Sequence, residues 1–530
     1  MTTLKALPSH PHPWSRVLDR SDVRWVDGIL HLVHDDLTPE QAHTADLVMV
    51  ADAVMTAGVD PLLVRHDRRS PAIVVDAGDA PRALAAIAAL AERDPVYVKP
   101  RGQHARIASD LRAAEVPVPA SMRLFRPRVT ASGTRRYGAA NGVRLEVWQT
   151  RDGLVHAPHA NALTRRVFPA GDLIESTVRR YGRSWRTIAG MFDPQPDEVT
   201  FDIDMVFSWV DGSSSEFQRQ RAAQMKEYVV GEGDDGPARY RHVDELRYAL
   251  RSVHMYAPWV RRIFIATDSP HPAWLAEHPR VTIVRSEEFF ADRSVLPTHN
   301  SHAVEAQLHR IEGLAEHFLY SNDDMFFGRP VWPELFFTSA GISKFVERGI
   351  RIGSGPARLE RSGHDNALRV NRDLLKDRFG RTILRDLEHC AAPLRRSVAA
   401  ELEREFAEEF RRTAASRFRS ATDISVTNSL YHYYALMTGR ALASSEPRVR
   451  YVQTTLAASL QQMDRLEKRS DVDMFCLNDG GESEMPEHVR VQRLRGTLER
   501  MFPIRAPWER DDVRSAPAAG ESGATTGAAR

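Results

Sequence analysis

Two adjacent carboxylates, Asp323 and Asp324, follow Asn322 between the apolar runs HFLY and MFF. Charges set among burying residues are costly unless something pairs them, and a divalent cation bridging diphosphate oxygens is the usual partner. Two carboxylates plus substrate phosphate suit the sparse protein ligation that Mg²⁺ accepts, with Mn²⁺ as second choice. The alternative is that these acids cap the next element or pair with Arg329. Asp211 in WVDGS and Asn478-Asp479 in FCLNDGG repeat the pattern, and each also reads as ordinary turn chemistry. Arg247 and Arg251 stand at i and i+4 in RHVDELRYALRSV and so share a helix face. That face is either solvated or a phosphate grip, since a planar guanidinium holds two phosphate oxygens at once. His389 and Arg419 would add a neutral-pH base and a cation for developing phosphate charge, provided both face the acidic edge.

These groups can act together only if the backbone delivers them to one place. Across 200–340 the pattern alternates: strand 203–210, helix 242–256, strand 262–267, short strand 281–285, helix 300–312, strand 317–321. Strands separated by helices predict right-handed crossovers and a mainly parallel, Rossmann-like sheet, whose ligands bind beyond the carboxyl ends of the strands. Three of the strands end in acid, at Asp211, Asp268 and Asp323-Asp324, and the later VDMFCLNDGG is a fourth.

Around this core we expect a small α/β domain over 1–195, with strand, Ala-rich helix and strand in SPAIVVDAG, APRALAAIAALAER and DPVYVKP, and a hairpin turning at Arg151-Asp152-Gly153. His156 and His159 flank Pro158 and read as structural. The polar stretch Asp193-Pro-Gln-Pro-Asp-Glu marks the boundary. After the catalytic α/β core at 200–340 we expect a helical insertion at 341–440, whose second helix closes at Gly439, and a closing segment at 441–510. GEGDDGPAR (231–239) reads as a mobile loop and 515–530 as a disordered tail.

Composition removes several classes of function. Lys plus Arg number 72 against 71 Asp plus Glu, so no charge excess argues for nucleic acid or an anionic membrane as partner. The longest apolar run, Ala83 to Ala91, is far below the roughly 20 residues a bilayer span needs. No export signal is visible in MTTLKALPSHPHPW, and Cys390 and Cys476 form neither a disulfide framework nor a metal knuckle. A cytoplasmic protein with two buried thiols is the expectation.

Taken together, DIDMVFSWVDGS, YRHVDELRYALRSVHMYAPWVRRIFIATD, LPTHNSHAVEAQLHRIEGLAEHFLYSNDDMFFGRP, FRSATDIS and FCLND resemble, in order, the four conserved regions of the Stealth family of sugar-phosphate transferases. That family includes bacterial capsular and exopolysaccharide phosphotransferases and the catalytic part of the lysosomal-enzyme N-acetylglucosamine-1-phosphotransferase. The resemblance covers about residues 200 to 485. It implies attack of an acceptor hydroxyl on the β-phosphorus of a nucleotide-diphospho-sugar, with UDP-hexose or UDP-N-acetylhexosamine as the expected donor. Hexose-1-phosphate passes to a polysaccharide or oligosaccharide, and a nucleoside monophosphate leaves.

By the same resemblance, Trp209, Asp211 and Gly212 position the nucleotide-sugar, and Arg247, Arg251, Asn300 and Asn322 contact it. Asp323 and Asp324 form the core of the metal site, Asp479 is a further metal ligand, and Asn478 a further sugar contact. His389 is the general base and Arg419 the phosphate clamp. Family members often carry His-x-Pro in the third region, whereas here Pro393 comes only after Cys390, Ala391 and Ala392, so His364 is the alternative base. A metal-dependent glycosyltransferase releasing UDP, or a non-catalytic carbohydrate-binding scaffold, are the competing readings. Peripheral association with a membrane polysaccharide-synthesis complex is compatible with all of them.

Overall fold

The computed structural model describes residues 15–66, 70–112, 118–212, 219, 243–469, 471–479 and 483–510. The expected loop at 231–239 and tail at 515–530 lie outside the described residues. The chain forms two compact units, one of Met1–Thr200 with Thr338–Ala340 and Gly496–Ile504, the other of Phe201–Phe337, Gly341–Arg495 and Arg505–Arg530. No helix among the described residues is long and apolar enough to cross a membrane.

The first unit is built on a mixed sheet in which strand Ser70–Asp76 pairs antiparallel with Leu62–His66 and parallel with Val143–Arg151. Helix Ala80–Leu90 has a proline in its first turn and buries Ala83, Leu84 and Ile87, the spacing of one helical face. Helix Pro39–Thr56 is fixed by a reciprocal cap between Thr38 and Gln41. The hairpin turns where Asp152 and Gly153 both take positive φ, the backbone that a tight two-residue turn demands.

In the second unit five strands lie in the order Val281–Val284, Ile263–Ala266, Ile203–Ser208, His317–Asn322 and Ala392–Arg395. The first four are parallel and the last antiparallel. The strands IDMVFS, IFIA and HFLYSN are almost wholly buried, as parallel strands covered on both faces must be.

Three details depart from the sequence expectation. The helix expected over 300–312 is only Ser301–Glu305, followed by a 3-10 turn at Leu308–Arg310. The stretch 341–440 is not purely helical: Ala392–Arg395 joins the main sheet, and Ser343–Phe345 pairs with Ala441–Ala443, because these short apolar runs are completed by strand partners far away in sequence. Gly439 does follow the last helix, Tyr431–Met437, at positive φ. Finally, FCLND does not extend the main sheet. Strand Met474–Asn478 lies in a three-stranded sheet between Met325–Phe327, antiparallel, and Val449–Gln453, parallel.

Candidate active site

Parallel pairing in register places Ser208 beside Asn322, so the chain leaves both strands at the same end. Beyond that end come Trp209, Asp211 and Gly212 on one strand and Asp323 and Asp324 on its neighbour. Asn322 is held from beneath: its Oδ1 accepts hydrogen bonds from the Tyr320 hydroxyl at 2.7 Å and from Ser208 Oγ at 3.3 Å. The Tyr320 hydroxyl also lies 3.2 Å from the buried Glu305 carboxylate. Burial and that carboxylate push Tyr320 well above its ordinary pKa, so it stays a neutral donor.

The turn at Asp323-Asp324 reverses the chain directly into strand Met325–Phe327, which is why the fourth acid-ended strand comes to the same place. Met325 stands opposite Cys476, and Leu477 N–H donates to the Asp324 carbonyl at 2.9 Å. The Cys476 thiol lies 3.5 Å from Asp324 Oδ2. Burial, then the charge of Asp324, raises that thiol far above its usual value and keeps it protonated. Tyr451 is abreast of Cys476 in the parallel strand, with the Arg348 guanidinium over its ring at 4.4 Å. Burial together with Cys476, Asp324 and Asp479 pushes Tyr451 up to about 12, against the pull of Arg348.

On the far side of Tyr451 stands His389, ring centroids 5.2 Å apart. His364, from the first turn of helix Gly363–Phe379, is 6.0 Å from His389 and places Nε2 3.2 Å from Asp386 Oδ2. Burial lowers the His389 pKa to about 4, with His364 and Arg348 acting in the same direction and Asp386 against it. At neutral pH its imidazole is uncharged and able to accept a proton.

Several residues singled out by the sequence are held by partners inside the fold. Arg247 and Arg251 are buried and turned onto Glu509, with N···O contacts of 2.7 Å for each. The pair bolts helix Glu245–Tyr256 to the segment 505–510 through a carboxylate that sequence reading passed over, 258 positions from Arg251. Asn300 is also engaged within the fold. It caps helix Ser301–Glu305 through His302 N–H, and its amide donates to Asp423 and to the carbonyls of Ser416 and Phe418. Through this loop Arg419 arrives beside Ser301, 2.8 Å from its hydroxyl, close enough to act electrostatically on Tyr320. Asp268 caps Ser286 N–H at 2.8 Å.

Asp386, Tyr451, Arg348 and Glu305 were not picked out by sequence reading. Only the acid-ended strands carried a visible signal, because tyrosines, and single carboxylates inside ordinary strands, look like core.

The donor set at the edge is all oxygen: the carboxylates of Asp323 and Asp324 on one turn, with Asn478 and Asp479 at the end of the adjoining strand. Hard oxygens of this kind fit Mg²⁺ or Mn²⁺. Asp479 fits least well, since Thr454 donates to its carboxylate and the buried Arg490 pairs with it at 3.2 Å. Of the acids at this edge, Asp323 and Asp324 fit such an ion better than Asp479.

Profiles of the Stealth conserved regions match the chain in order: region 1 over 201–229, region 2 over 239–345, region 3 over 388–436 and region 4 over 464–519. The exopolysaccharide phosphotransferase CpsY of Mycobacterium tuberculosis is 52% identical over 487 residues, 91% of each chain. The exopolysaccharide phosphotransferase of Nocardia farcinica is 51% identical over 508 residues, 96% of this chain and 95% of that one. Against the solved galactosyltransferase LgtC with donor and acceptor sugar analogues, the TM-score is 0.28 at 10% identity, over 56% of this chain and 95% of that one, a likeness too slight to bear on the argument.

Proposed function

The chain belongs to the Stealth family, with relatives named exopolysaccharide phosphotransferases, and from that premise we propose that it transfers hexose-1-phosphate from a nucleotide-diphospho-sugar to a sugar hydroxyl. The acceptor oxygen forms a bond to the β-phosphorus, the bond from that phosphorus to the bridging oxygen breaks, and the nucleoside monophosphate leaves with the electron pair. The hydroxyl proton goes to His389. The product is a phosphodiester between two sugars.

The observation that carries this reading is the convergence of three separate chain segments on one edge: the Asn322–Asp324 turn, the strand end at Asn478-Asp479, and Tyr451 with His389 behind it. Asp323 and Asp324 would hold Mg²⁺ or Mn²⁺, which when bound neutralises diphosphate charge. Trp209, Asp211 and Gly212 follow the neighbouring strand and would line the donor. Arg419, carried by the loop anchored on Asn300, supplies a permanent positive charge at the same strand ends. His389, neutral and packed against Tyr451, is the base for the acceptor hydroxyl. UDP-hexose or UDP-N-acetylhexosamine is the proposed donor class, and a cell-surface polysaccharide the acceptor class.

The test is product analysis with the purified chain, Mg²⁺, UDP-sugars labelled at the β-phosphorus and oligosaccharide acceptors. UMP release with label retained in the oligosaccharide is the expected result. UDP release with no label retained means glycosyl transfer and overturns the proposal. Sugar-polymer synthesis that survives Asp324→Ala in cells would favour a binding scaffold instead.

A further inference from the structure

His389 takes a proton in the reaction proposed above, and no described side chain is hydrogen-bonded to its ring to receive that proton directly. Its ring nitrogens make no hydrogen bond to any described residue, and Arg348 faces it from the strand Glu347–Arg351. The nearest acid is Asp386, buried at 5% exposure, which has no Arg or Lys ion pair among the described residues. Asp386 Oδ1 takes Leu387 N–H at 2.8 Å and Oδ2 faces His364 Nε2. One donor atom from each of His364, Asp386 and His389 lies within 4.8 Å of the others, a gap that one water spans. The His364 side chain is 33% exposed, against 7% for that of Asp386. Other polar groups around them include Glu388, Tyr433 of helix Tyr431–Met437 with Glu347 and Arg385 beside it, Arg450 and Tyr451.

Resting on the phosphotransfer reading, we propose that Asp386 and His364 form the proton exit from His389. A carboxylate facing Nε2 fixes His364 as the tautomer that donates from Nε2 and leaves Nδ1 free to accept, and its charge steadies the imidazolium that forms. The proton moves from His389 to His364 through a water and from His364 to solvent. No oxidant, reductant or further reactant is needed. His389 is then neutral for the next acceptor. Asp386 is a positioning residue here, acting through His364.

A metal centre is the competing use of two histidines and an aspartate. The three ligand atoms already lie within 4.8 Å of one another, so what opposes a zinc ion there is the Arg348 charge that faces His389.

The experiment measures total nucleotide release by the full chain, so that it reads whichever nucleotide leaves. In His364→Ala, kcat should fall about 10- to 100-fold, short of the ~10²–10⁴ of a direct acid–base group, with KM for the donor within about 2-fold. Added imidazole should restore kcat at least several-fold, which a structural defect would not allow. The near-isosteric Asp386→Asn guards against misfolding, and should lose activity without imidazole rescue and with a displaced pH profile. Unchanged kcat and pH profile in both variants, or losses that imidazole never repairs in His364→Ala, would sink the relay. So would about one transition-metal ion per purified chain that His364→Ala releases. Whether UMP or UDP leaves the unaltered protein is read separately, so the phosphotransfer reading and the relay fail independently.

Discussion

Two buried carboxylates, Glu146 in the first unit and Asp386 in the second, each stand beside two histidines, and they are finished differently. Glu146 is fully enclosed. Its Oε1 lies 2.8 Å from His159 Nδ1 and 2.9 Å from His66 Nε2, and its Oε2 accepts from Trp148 Nε1 at 3.0 Å. The outer nitrogens are taken as well, His66 Nδ1 by the Ala160 carbonyl and His159 Nε2 by Arg101. Burial opposes the charge on Glu146, but these donors outweigh it and hold the group ionised below its ordinary pKa. Around Asp386, by contrast, His364 Nδ1 and both nitrogens of His389 have no hydrogen-bond partner among the described residues, and His364 opens to solvent. The same three residue types make a lock when each ring nitrogen faces a carboxylate, a carbonyl or a guanidinium, and a proton-handling group when some are left open.

The largest expected effect separates the two clusters directly. His389→Gln should lower kcat by about 10²–10⁴-fold while shifting Tm by only a few degrees. His159→Gln, in the filled cluster, should change kcat less than about 2-fold. Steady-state nucleotide release and thermal melts on both variants check this, and equal losses of activity would remove the distinction.

The next effect is on stability and runs the other way. Glu146→Ala strands two histidines and an indole N–H that were built around one charge, and removing one partner of a buried ion pair costs about 3–5 kcal/mol. Glu509→Ala should fall in the same range, because Arg247 and Arg251 cannot shed their charge. Urea denaturation measures both, provided each unit's transition is followed separately. A Glu509 variant that is stable but inactive would mean that the two arginines touch substrate after all.

Glu509 also marks the limit of what was legible in the sequence. The parallel core could be read because buried strands announce themselves as IDMVFS, IFIA and HFLYSN, and the acid after each apolar run gave the edge. Arg247 and Arg251 share a buried helix face as their i, i+4 spacing implies, yet spacing says nothing about which carboxylate lies opposite. That partner comes from long-range packing. The same holds for Tyr451 and Asp386, whose neighbours in the chain are unremarkable strand residues and whose role appears only when Cys476 and His364 are brought beside them. The fold was local enough to read; the completion of its charges was not.

The smallest effect tests the general rule at a histidine outside both clusters. His432 is 1% exposed, with Nε2 2.8 Å from the Thr427 carbonyl. Burial depresses its pKa to about 4 from 6.5, with the carbonyl contact opposing only in part. Between those values the unfolded chain binds a proton that the folded chain refuses, so stability rises with pH there. The contribution is complete above about pH 6.5 and is lost as pH falls toward 4, by an amount on the order of 3 kcal/mol from this residue. His432→Gln keeps a side-chain N–H for Thr427 but has no proton to take up, so its urea midpoint should fall less between pH 7 and pH 4 than that of the unaltered chain. If the two curves run parallel, His432 is not held neutral by burial, and the case for reading His389 as a neutral base from its surroundings weakens with it.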